Sequence, residues 1–206
     1  MQILHMNGPA PYYTNSFVLI GDKGSAVVID PAAPAAEYDR ILRENNAKTL
    51  EIYCTHGHFD HVEGASALQK KWGCPLRCEP EDVGDNRMYP LKSADGGFAE
   101  AVPWTVDDME FTAWHTPGHT RGSVVLLCRE AGSDEPGWFI TGDTLFAGSM
   151  GRTDLPGGNE ATMMQSLKKL NGLPVSNDAP VLPGHGEFST FGEEKAENYY
   201  LRMNRG

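Results

Sequence analysis

Three of the seven histidines of the chain lie within six residues, in the run His56-Gly57-His58-Phe59-Asp60-His61. Imidazole and carboxylate are ligands that borderline cations such as Zn²⁺ favour in proteins. A His-X-His pair in a loop can direct two imidazoles at one ion, and Asp60 and His61, at the turn into the next predicted helix, can serve a second ion. Because the run directly follows an apolar strand, a metal site is favoured over a surface cluster of polar residues.

Further candidate ligands follow other predicted strands: His119 comes after 109–114, Asp143 after 138–141 and His185 after 180–183. One histidine or aspartate after a strand would be an ordinary loop residue. In open α/β folds, however, ligands gather outside the carboxyl ends of strands, and a nearby glycine permits close approach of the backbone. With the His56–His61 run, which follows the predicted strand 50–54, four strand ends carry candidate ligands. Together they predict one shared metal site. His115 is predicted not to be a ligand, because it ends its strand before the glycine turn.

Hydrophobic patterns predict the elements that position these residues. Strands are predicted over 16–20, 25–30, 50–54, 109–114, 123–128, 138–141 and 180–183, and helices over 34–46, 63–72, 160–170 and from about 192. The segment 80–105 is too rich in Gly, Pro and Asp to assign. The mixture of strands and helices predicts an α/β fold with two sheets. No linker or charge block marks a boundary, so we expect a single domain over 1–206.

The composition excludes several classes of protein. A formal charge of −11 disfavours a nucleic-acid partner, and part of it fits carboxylates at a metal site. The chain shows neither a basic region followed by an apolar run at its N-terminus nor the ~20 apolar residues of a membrane span, so we expect a cytoplasmic protein without a membrane partner. The cysteines do not form a disulfide framework: Cys54 and Cys128 are predicted to be buried, and Cys74 and Cys78 lack a nearby second pair to complete a zinc site.

Four motifs carry a resemblance to a known family: THGHFDH at 55–61, TPGHT at 116–120, TGDTLFAGSMGRTDLPGG at 141–158 and PGHG at 183–186. In type and order they resemble the metallo-β-lactamase superfamily, and within it the glyoxalase II-like hydrolases of hydroxyacyl-thioesters. The resemblance implies a four-layer αββα sandwich with the metals at one edge of the two sheets.

The resemblance also implies a role for each candidate. His56, His58 and His119 would hold a first metal, Asp60, His61 and His185 a second, and Asp143 would bridge both. Asp30, at the end of the VVID strand, resembles the family's aspartate behind the ligands, although a simple turn aspartate before Pro31 is the alternative.

The implied activity is hydrolysis of a thioester by a hydroxide that two divalent ions share. Zinc is the first expectation for these ions, with iron or manganese as alternatives. Asp60 and Asp143 would be catalytic as well as metal-binding, with Asp60 orienting the water. The charge count agrees, because two ions bring four positive charges, against three negative ones from Asp60, Asp143 and a hydroxide. The sequence offers no Gly-X-Ser-X-Gly elbow as another nucleophile.

The substrate is expected to be a small acyl-thiol of the S-lactoylglutathione type. Arg152 falls where the similar enzymes position their substrate, and its guanidinium could bind a substrate carboxylate through two parallel hydrogen bonds. Equally, Arg152 could hold its own loop in place through Asp154. Classical glyoxalase II carries an additional C-terminal helical domain that contacts glutathione. This chain ends about twenty residues after PGHG, so we expect a short form without that domain.

Other activities of the same fold remain open or are disfavoured. The main alternative is a persulfide dioxygenase with one iron, which shares the first-metal ligands and a similar Gly-Arg-Thr-Asp stretch. A nuclease is disfavoured by the acidic charge, and a structural zinc site by the absence of a closed Cys-rich set. A flavodiiron-type role is disfavoured because Gly57 and His58 stand where that branch carries an acidic ligand. Oligomeric state is not predictable from these residues.

Overall fold

The protein, described here by a computed structural model over residues 1–204, is built on two mixed β-sheets. The first sheet has five strands in sequential order: β1 (Gln2–Asn7), β2 (Asn15–Ile20), β3 (Ser25–Ile29), β4 (Thr49–Tyr53) and β5 (Leu76–Arg77). Strand β2 is antiparallel to both β1 and β3, whereas β3, β4 and β5 run parallel to one another.

The second sheet has six strands, numbered along the chain as β6 (Trp104–Val106), β7 (Met109–His115), β8 (Val124–Glu130), β9 (Trp138–Gly142), β12 (Pro180–Pro183) and β13 (Ser189–Thr190). Their spatial order is β13-β12-β9-β8-β7-β6. A separate small hairpin is formed by β10 (Leu145–Phe146) and β11 (Ser149–Met150).

The helices are α1 (Ala35–Glu44), α2 (Phe59–Val62), α3 (Ala65–Trp72), α4 (Glu160–Asn171), α5 (Phe191–Glu197) and α6 (Tyr199–Met203), with a 3₁₀ turn at Pro80–Asp82. Side chains cap their N-termini where the sequence supplies them. Asn159 accepts a hydrogen bond from the backbone N–H of Thr162 at α4, and Thr190 and Glu193 form a capping box at α5.

Three apolar layers hold these elements together. One lies between the sheets, where Phe17 and Ile29 pack with Phe111 and Leu126. A second joins the outer face of the first sheet to α1 and α3. A third joins the outer face of the second sheet to α4, α5 and α6. The order helix, sheet, sheet, helix confirms the predicted αββα sandwich.

Strand direction brings the candidate ligands to one edge. Strand β8 is antiparallel to both β7 and β9, and β12 is parallel to β9, so β7, β9 and β12 all end at the same side of their sheet. In the other sheet, β3 and β4 run parallel and also end together. The loops that follow these five strands therefore meet across the sandwich.

The structure confirms the seven predicted strands and corrects two helices. The predicted helix 63–72 is preceded by a separate turn of helix, α2, and the C-terminal helix is interrupted at Asn198 between α5 and α6. Strand β1 and the short strands β5, β6, β10, β11 and β13 were not predicted.

All four cysteines are buried with free thiols. Over residues 1–204 no helix has both the length and the apolar character to cross a bilayer.

Candidate metal centre

The structure brings all seven predicted ligands to one place. Their donor atoms form three overlapping groups, in each of which all atoms lie within 4.8 Å of one another: His56, His58 and His119; His56, His61 and Asp143; and Asp60, His61 and His185. Most of these side chains are buried; Asp60 and His185 are half-buried. The four loops thus form one polar cluster at the edge of the sandwich.

The first group places three imidazole nitrogens close together. Nδ1 of His58 lies 3.1 Å from Nε2 of His56 and 2.9 Å from Nε2 of His119. Zinc–nitrogen bonds of about 2.0–2.1 Å in a tetrahedron separate neighbouring ligand atoms by roughly 3.3–3.4 Å. The three nitrogens therefore have nearly the spacing that a shared cation requires.

The second group has similar spacing. Nε2 of His61 lies 3.3 Å from Nε2 of His185 and 3.7 Å from Oδ2 of Asp60. Nε2 of His185 lies 3.4 Å from the same Asp60 oxygen. Two imidazoles and a carboxylate are a donor set that divalent cations accept.

Asp143 lies between the two groups. Its Oδ2 is 3.3 Å from Nε2 of His119 and 3.5 Å from Nε2 of His185, and its Oδ1 is 3.4 Å from Nε2 of His61. Oδ1 is buried and has no hydrogen-bond partner within the described residues. Because a buried carboxylate oxygen without a partner is costly, this position fits a cation.

Partners behind the ligands fix which ring nitrogen faces the cluster. Nδ1 of His61 lies 2.9 Å from Oδ2 of Asp30, Nδ1 of His119 2.7 Å from the carbonyl of Arg152, and Nδ1 of His185 3.1 Å from the carbonyl of Tyr12. These oxygens accept, so each Nδ1 donates and each Nε2 faces the cluster, where it can bind a cation. The structure places Asp30 behind a candidate ligand, as the resemblance implied.

A glycine makes room for the second group. A side chain at Gly184 would overlap the carboxylate of Asp143 and the ring of His61. Together with the donor set, this close approach of backbone to ligands fits divalent metal ions, and the fold with its His/Asp cluster points to their binding.

The electrostatics agree with ligand chemistry. Burial, reinforced by neighbouring histidines, lowers the pKa of His56 well below its usual value and that of His58 to about 4. Burial opposes ionisation of Asp60, but a hydrogen bond that its carboxylate accepts from His185 and the charge of His61 outweigh burial and lower the pKa of Asp60 to about 2. Ionised carboxylates and neutral imidazoles are the forms that bind a metal.

His61 behaves differently from His56 and His58. Burial lowers the pKa of His61, yet the carboxylates of Asp143 and Asp30 outweigh burial and raise that pKa well above its usual value. Without a cation, a proton on this ring is thus the counter-charge for the buried carboxylates. A bound metal would take over that role.

Asp82, which no pattern in the sequence singled out, connects two of the ligand loops. Its side chain is fully buried, and its oxygens accept hydrogen bonds from the backbone N–H of Gly57 at 3.1 Å, the backbone N–H of Gly122 at 3.0 Å and the hydroxyl of Thr120 at 2.6 Å. Asp82 lies in the segment 80–105 that could not be assigned. In the sequence, Asp82 is one of several aspartates in this segment, and nothing distinguishes it from the others.

His115 and Arg152 also have definite places. His115 lies outside all three groups, with Nε2 3.0 Å from the carbonyl of Phe98 and 3.3 Å from Glu79. The Arg152 guanidinium forms a fork with Asp154 through Nε and Nη2, each 2.7 Å from a carboxylate oxygen. The loop-tying alternative for Arg152 is therefore present in the structure, while its predicted contact with substrate stays a prediction.

An open pocket of about 550 Å³ lies over the cluster. Asp60, Asp143, His58, His119 and His185 contribute to its floor, and its walls are largely apolar or aromatic: Tyr12, Phe59, Met88, Phe146, Met150 and Leu155. Arg152 also lines it. A small organic molecule can therefore reach the candidate ligands.

A family model described as the metallo-beta-lactamase superfamily matches residues 9–185. The chain belongs to the metallo-beta-lactamase superfamily. This matched range contains every candidate ligand, and members of this superfamily are generally hydrolases. The resemblance drawn from the motifs is thereby confirmed.

Curated relatives of similar length extend this assignment. An uncharacterised protein of Mycobacterium tuberculosis is 34% identical, over 91% of this chain and 92% of that protein. The hydroxyacylglutathione hydrolase GloC of Haemophilus influenzae is 29% identical, over 92% of this chain and 93% of its own.

Solved structures share the fold over nearly the whole chain. The B3 metallo-beta-lactamase BLEG-1 superposes with a TM-score of 0.83 at 28% identity, covering 97% of this chain and 99% of its own. TTHA1623, solved in a di-iron-bound form, gives a TM-score of 0.79 at 27% identity, covering 96% and 99%. ETHE1 from Myxococcus xanthus gives 0.78 at 22% identity, covering 100% and 91%; at that identity the likeness concerns the fold alone.

Proposed function

We propose that this chain is a binuclear metal-dependent hydrolase that cleaves thioesters of the hydroxyacyl-glutathione type, such as S-lactoylglutathione. The observation that carries the proposal is the position of Asp143, whose two carboxylate oxygens face two sets of nitrogen and oxygen donors beneath an open pocket. The similarity to the hydroxyacylglutathione hydrolase of Haemophilus influenzae supports the choice of substrate class.

Two sets of side chains would hold the ions. His56, His58 and His119 would hold the first, Asp60, His61 and His185 the second, and Asp143 both. Zinc suits these imidazole and carboxylate donors, and iron and manganese are accepted by the same ligands. The similarity to a protein solved with two irons keeps iron as the main alternative.

Bound divalent ions supply Lewis acidity and lower the pKa of a coordinated water toward ~7, which gives a nucleophile at neutral pH. Asp60 is ionised at that pH, because its pKa is lowered to about 2, and it lies at the pocket floor. It can therefore orient the attacking water and accept a hydrogen bond from it. No serine or cysteine nucleophile is part of the proposal.

The pocket walls would hold the substrate. Apolar side chains such as Phe146 and Met150 exclude water from the reacting carbonyl, which strengthens electrostatic interactions at the site. Arg152 would bind a substrate carboxylate. Because its guanidinium already binds Asp154, it must either bind both carboxylates or release Asp154. We further propose a small-molecule substrate in the cytoplasm, with neither nucleic acid nor membrane as a partner.

Replacement of Asp143 tests the proposal. Metal-free protein reloaded with Zn²⁺ should hydrolyse S-lactoylglutathione. The release of free thiol measures the reaction. Asp143→Ala should lose bound metal and lower kcat/KM at least about 100-fold. Asp134→Ala, a matched change in an exposed loop, should match the unaltered protein. Intact metal content and turnover in Asp143→Ala would refute this mechanism.

A second assay separates hydrolysis from the iron-dependent alternative. Iron-loaded protein is given glutathione persulfide in air, and oxygen consumption is recorded. The proposal predicts no sustained oxygen uptake. Uptake with one iron per chain, together with no thioester hydrolysis, would establish a persulfide dioxygenase instead.

A further inference from the structure

The loop that joins β1 and β2 lies over the second group of candidate ligands. Strands β1 and β2 pair up to Asn7 and Asn15, and a hydrogen bond of 2.8 Å from the N–H of Gly8 to the carbonyl of Thr14 closes the loop between them. We call residues 8–15, which comprise this connection and the first residue of β2, the β1–β2 loop. Neither its polar residues nor its contacts were anticipated from the sequence.

Thr14 holds Asp60. The Thr14 side chain is fully buried, and its hydroxyl donates a 2.9 Å hydrogen bond to Oδ2 of Asp60. That oxygen is the one that faces His185 and His61. The hydroxyl therefore fixes the carboxylate in the orientation that a second ion would need.

Tyr12 and Asn15 hold His185. The carbonyl of Tyr12 accepts from Nδ1 of His185 at 3.1 Å, which leaves Nε2 to face the cluster. The buried side-chain amide of Asn15 donates to the carbonyls of Pro183 and Gly186 at 2.9 and 3.1 Å, on either side of His185.

The backbone of Asn15 adds a third hydrogen bond to the loop that carries His185. Its N–H donates to the carbonyl of Gly184 at 2.7 Å. One segment of chain thus fixes both the ring orientation of His185 and the loop that carries it.

The first group of ligands has different support. Nδ1 of His56 lies 3.2 Å from the hydroxyl of Thr55, and Nδ1 of His119 lies 2.7 Å from the carbonyl of Arg152. Among the hydrogen bonds within residues 1–204, those of the β1–β2 loop reach Asp60 and His185 but none of the first group, His56, His58 and His119. The loop is therefore specific to the second group.

We propose that Thr14 and Asn15 are positioning residues that set the affinity of the second metal site, so that the β1–β2 loop determines whether the chain holds one ion or two. This inference rests on the two-ion site of the proposed function. Outer partners of metal ligands typically change affinity 10- to 100-fold when removed. The loop supplies such partners to Asp60 and to His185 at once.

The test measures the two affinities separately. Metal-free protein is titrated with Zn²⁺ in competition with a chromophoric chelator, and bound zinc is counted by elemental analysis. Thr14→Val removes only the hydroxyl, and we expect it to bind the first ion normally and the second about 10- to 100-fold more weakly. Thr14→Ser keeps the hydroxyl and should restore both affinities. Thr49→Val, at an exposed strand position remote from the site, should leave both unchanged.

Asn15→Asp provides an independent variant. It preserves size but places a carboxylate against the carbonyls of Pro183 and Gly186, so we again expect selective weakening of the second ion. This variant decides the matter if Thr14→Val does not fold, as judged by circular dichroism.

Each outcome has one meaning. Two unchanged affinities in Thr14→Val and Asn15→Asp would overturn this inference and leave the proposed function standing. Equal weakening of both ions would also overturn it, because the loop would then support the whole centre. Fewer than two ions in the unaltered protein would overturn the two-ion centre itself, and the inference with it.

Discussion

The carboxylate of Asp30 lies 2.9 Å from Nδ1 of His61, although Asp30 follows β3 and His61 lies in α2, after β4. Asp30 also accepts from the backbone N–H and the hydroxyl of Thr55, both at 2.6 Å. Asp30 adopts a left-handed conformation with φ of 48°, which aspartate and asparagine tolerate better than most residues. One carboxylate thus joins the end of β3 to the loop that carries four of the candidate ligands.

Asp30→Asn should weaken metal binding without disturbing the backbone. The amide keeps the left-handed preference but replaces one acceptor by a donor, which must face either Thr55 or His61. We expect the affinity for zinc at the His61 site to fall about 10- to 100-fold, measured by chelator competition. Asp178→Asn in an exposed turn is the matched control. Unchanged affinity in Asp30→Asn would make Asp30 only a turn residue.

Asp82→Asn should affect the other ion. Asp82 accepts from three donors, in the loops that carry His56, His58 and His119, and an asparagine can accept at only one of its two terminal atoms. We expect about 10- to 100-fold weaker binding of the first ion and little change in the second. Elemental analysis after dialysis against graded chelator would measure both. Selective loss of the second ion would contradict this assignment.

Removal of metal should destabilise the fold. An ion that binds only the folded state stabilises it by about 2.7 kcal/mol at a hundredfold excess over Kd. For a chain of this size that corresponds to a rise in Tm of roughly 5–10 °C. Calorimetry before and after chelation, and after zinc is restored, measures the shift. An identical Tm in all three states would contradict metal binding at the cluster.

Arg152→Lys separates the two roles of Arg152. Lysine keeps the charge but cannot bind both oxygens of a carboxylate. If the guanidinium binds substrate, as we propose, KM for S-lactoylglutathione should rise about tenfold with kcat nearly constant. A fall in kcat at constant KM would instead show that the fork with Asp154 serves to hold the loop whose carbonyl bonds His119.

The sequence predicted the candidate ligands because chemistry and strand order coincide. Histidines and aspartates follow β4, β7, β9 and β12, and strand direction then brings them together. The periodicity of these strands was visible in the residues themselves. The αββα layering came from the family resemblance and not from the pattern of elements, which predicted only two sheets.

The residues that support the ligands could not be predicted in this way. Asp82 acts through hydrogen bonds to backbone groups about 25 to 40 residues away, and nothing in its local sequence indicates them. Thr14 and Asn15 precede an apolar strand as ordinary loop residues do, and their contacts with Asp60 and the His185 loop depend on tertiary packing. For Arg152, the nearby Asp154 was visible, but only the geometry shows the fork.

The positions of bound ions test the central claim most directly. A crystal of zinc-loaded protein, measured at the zinc absorption edge, would give an anomalous-difference map. We expect two peaks, one among His56, His58 and His119 and one among Asp60, His61 and His185, both beside Asp143. A map without a peak in this cluster, or with His119 or His185 turned away from it, would contradict the account.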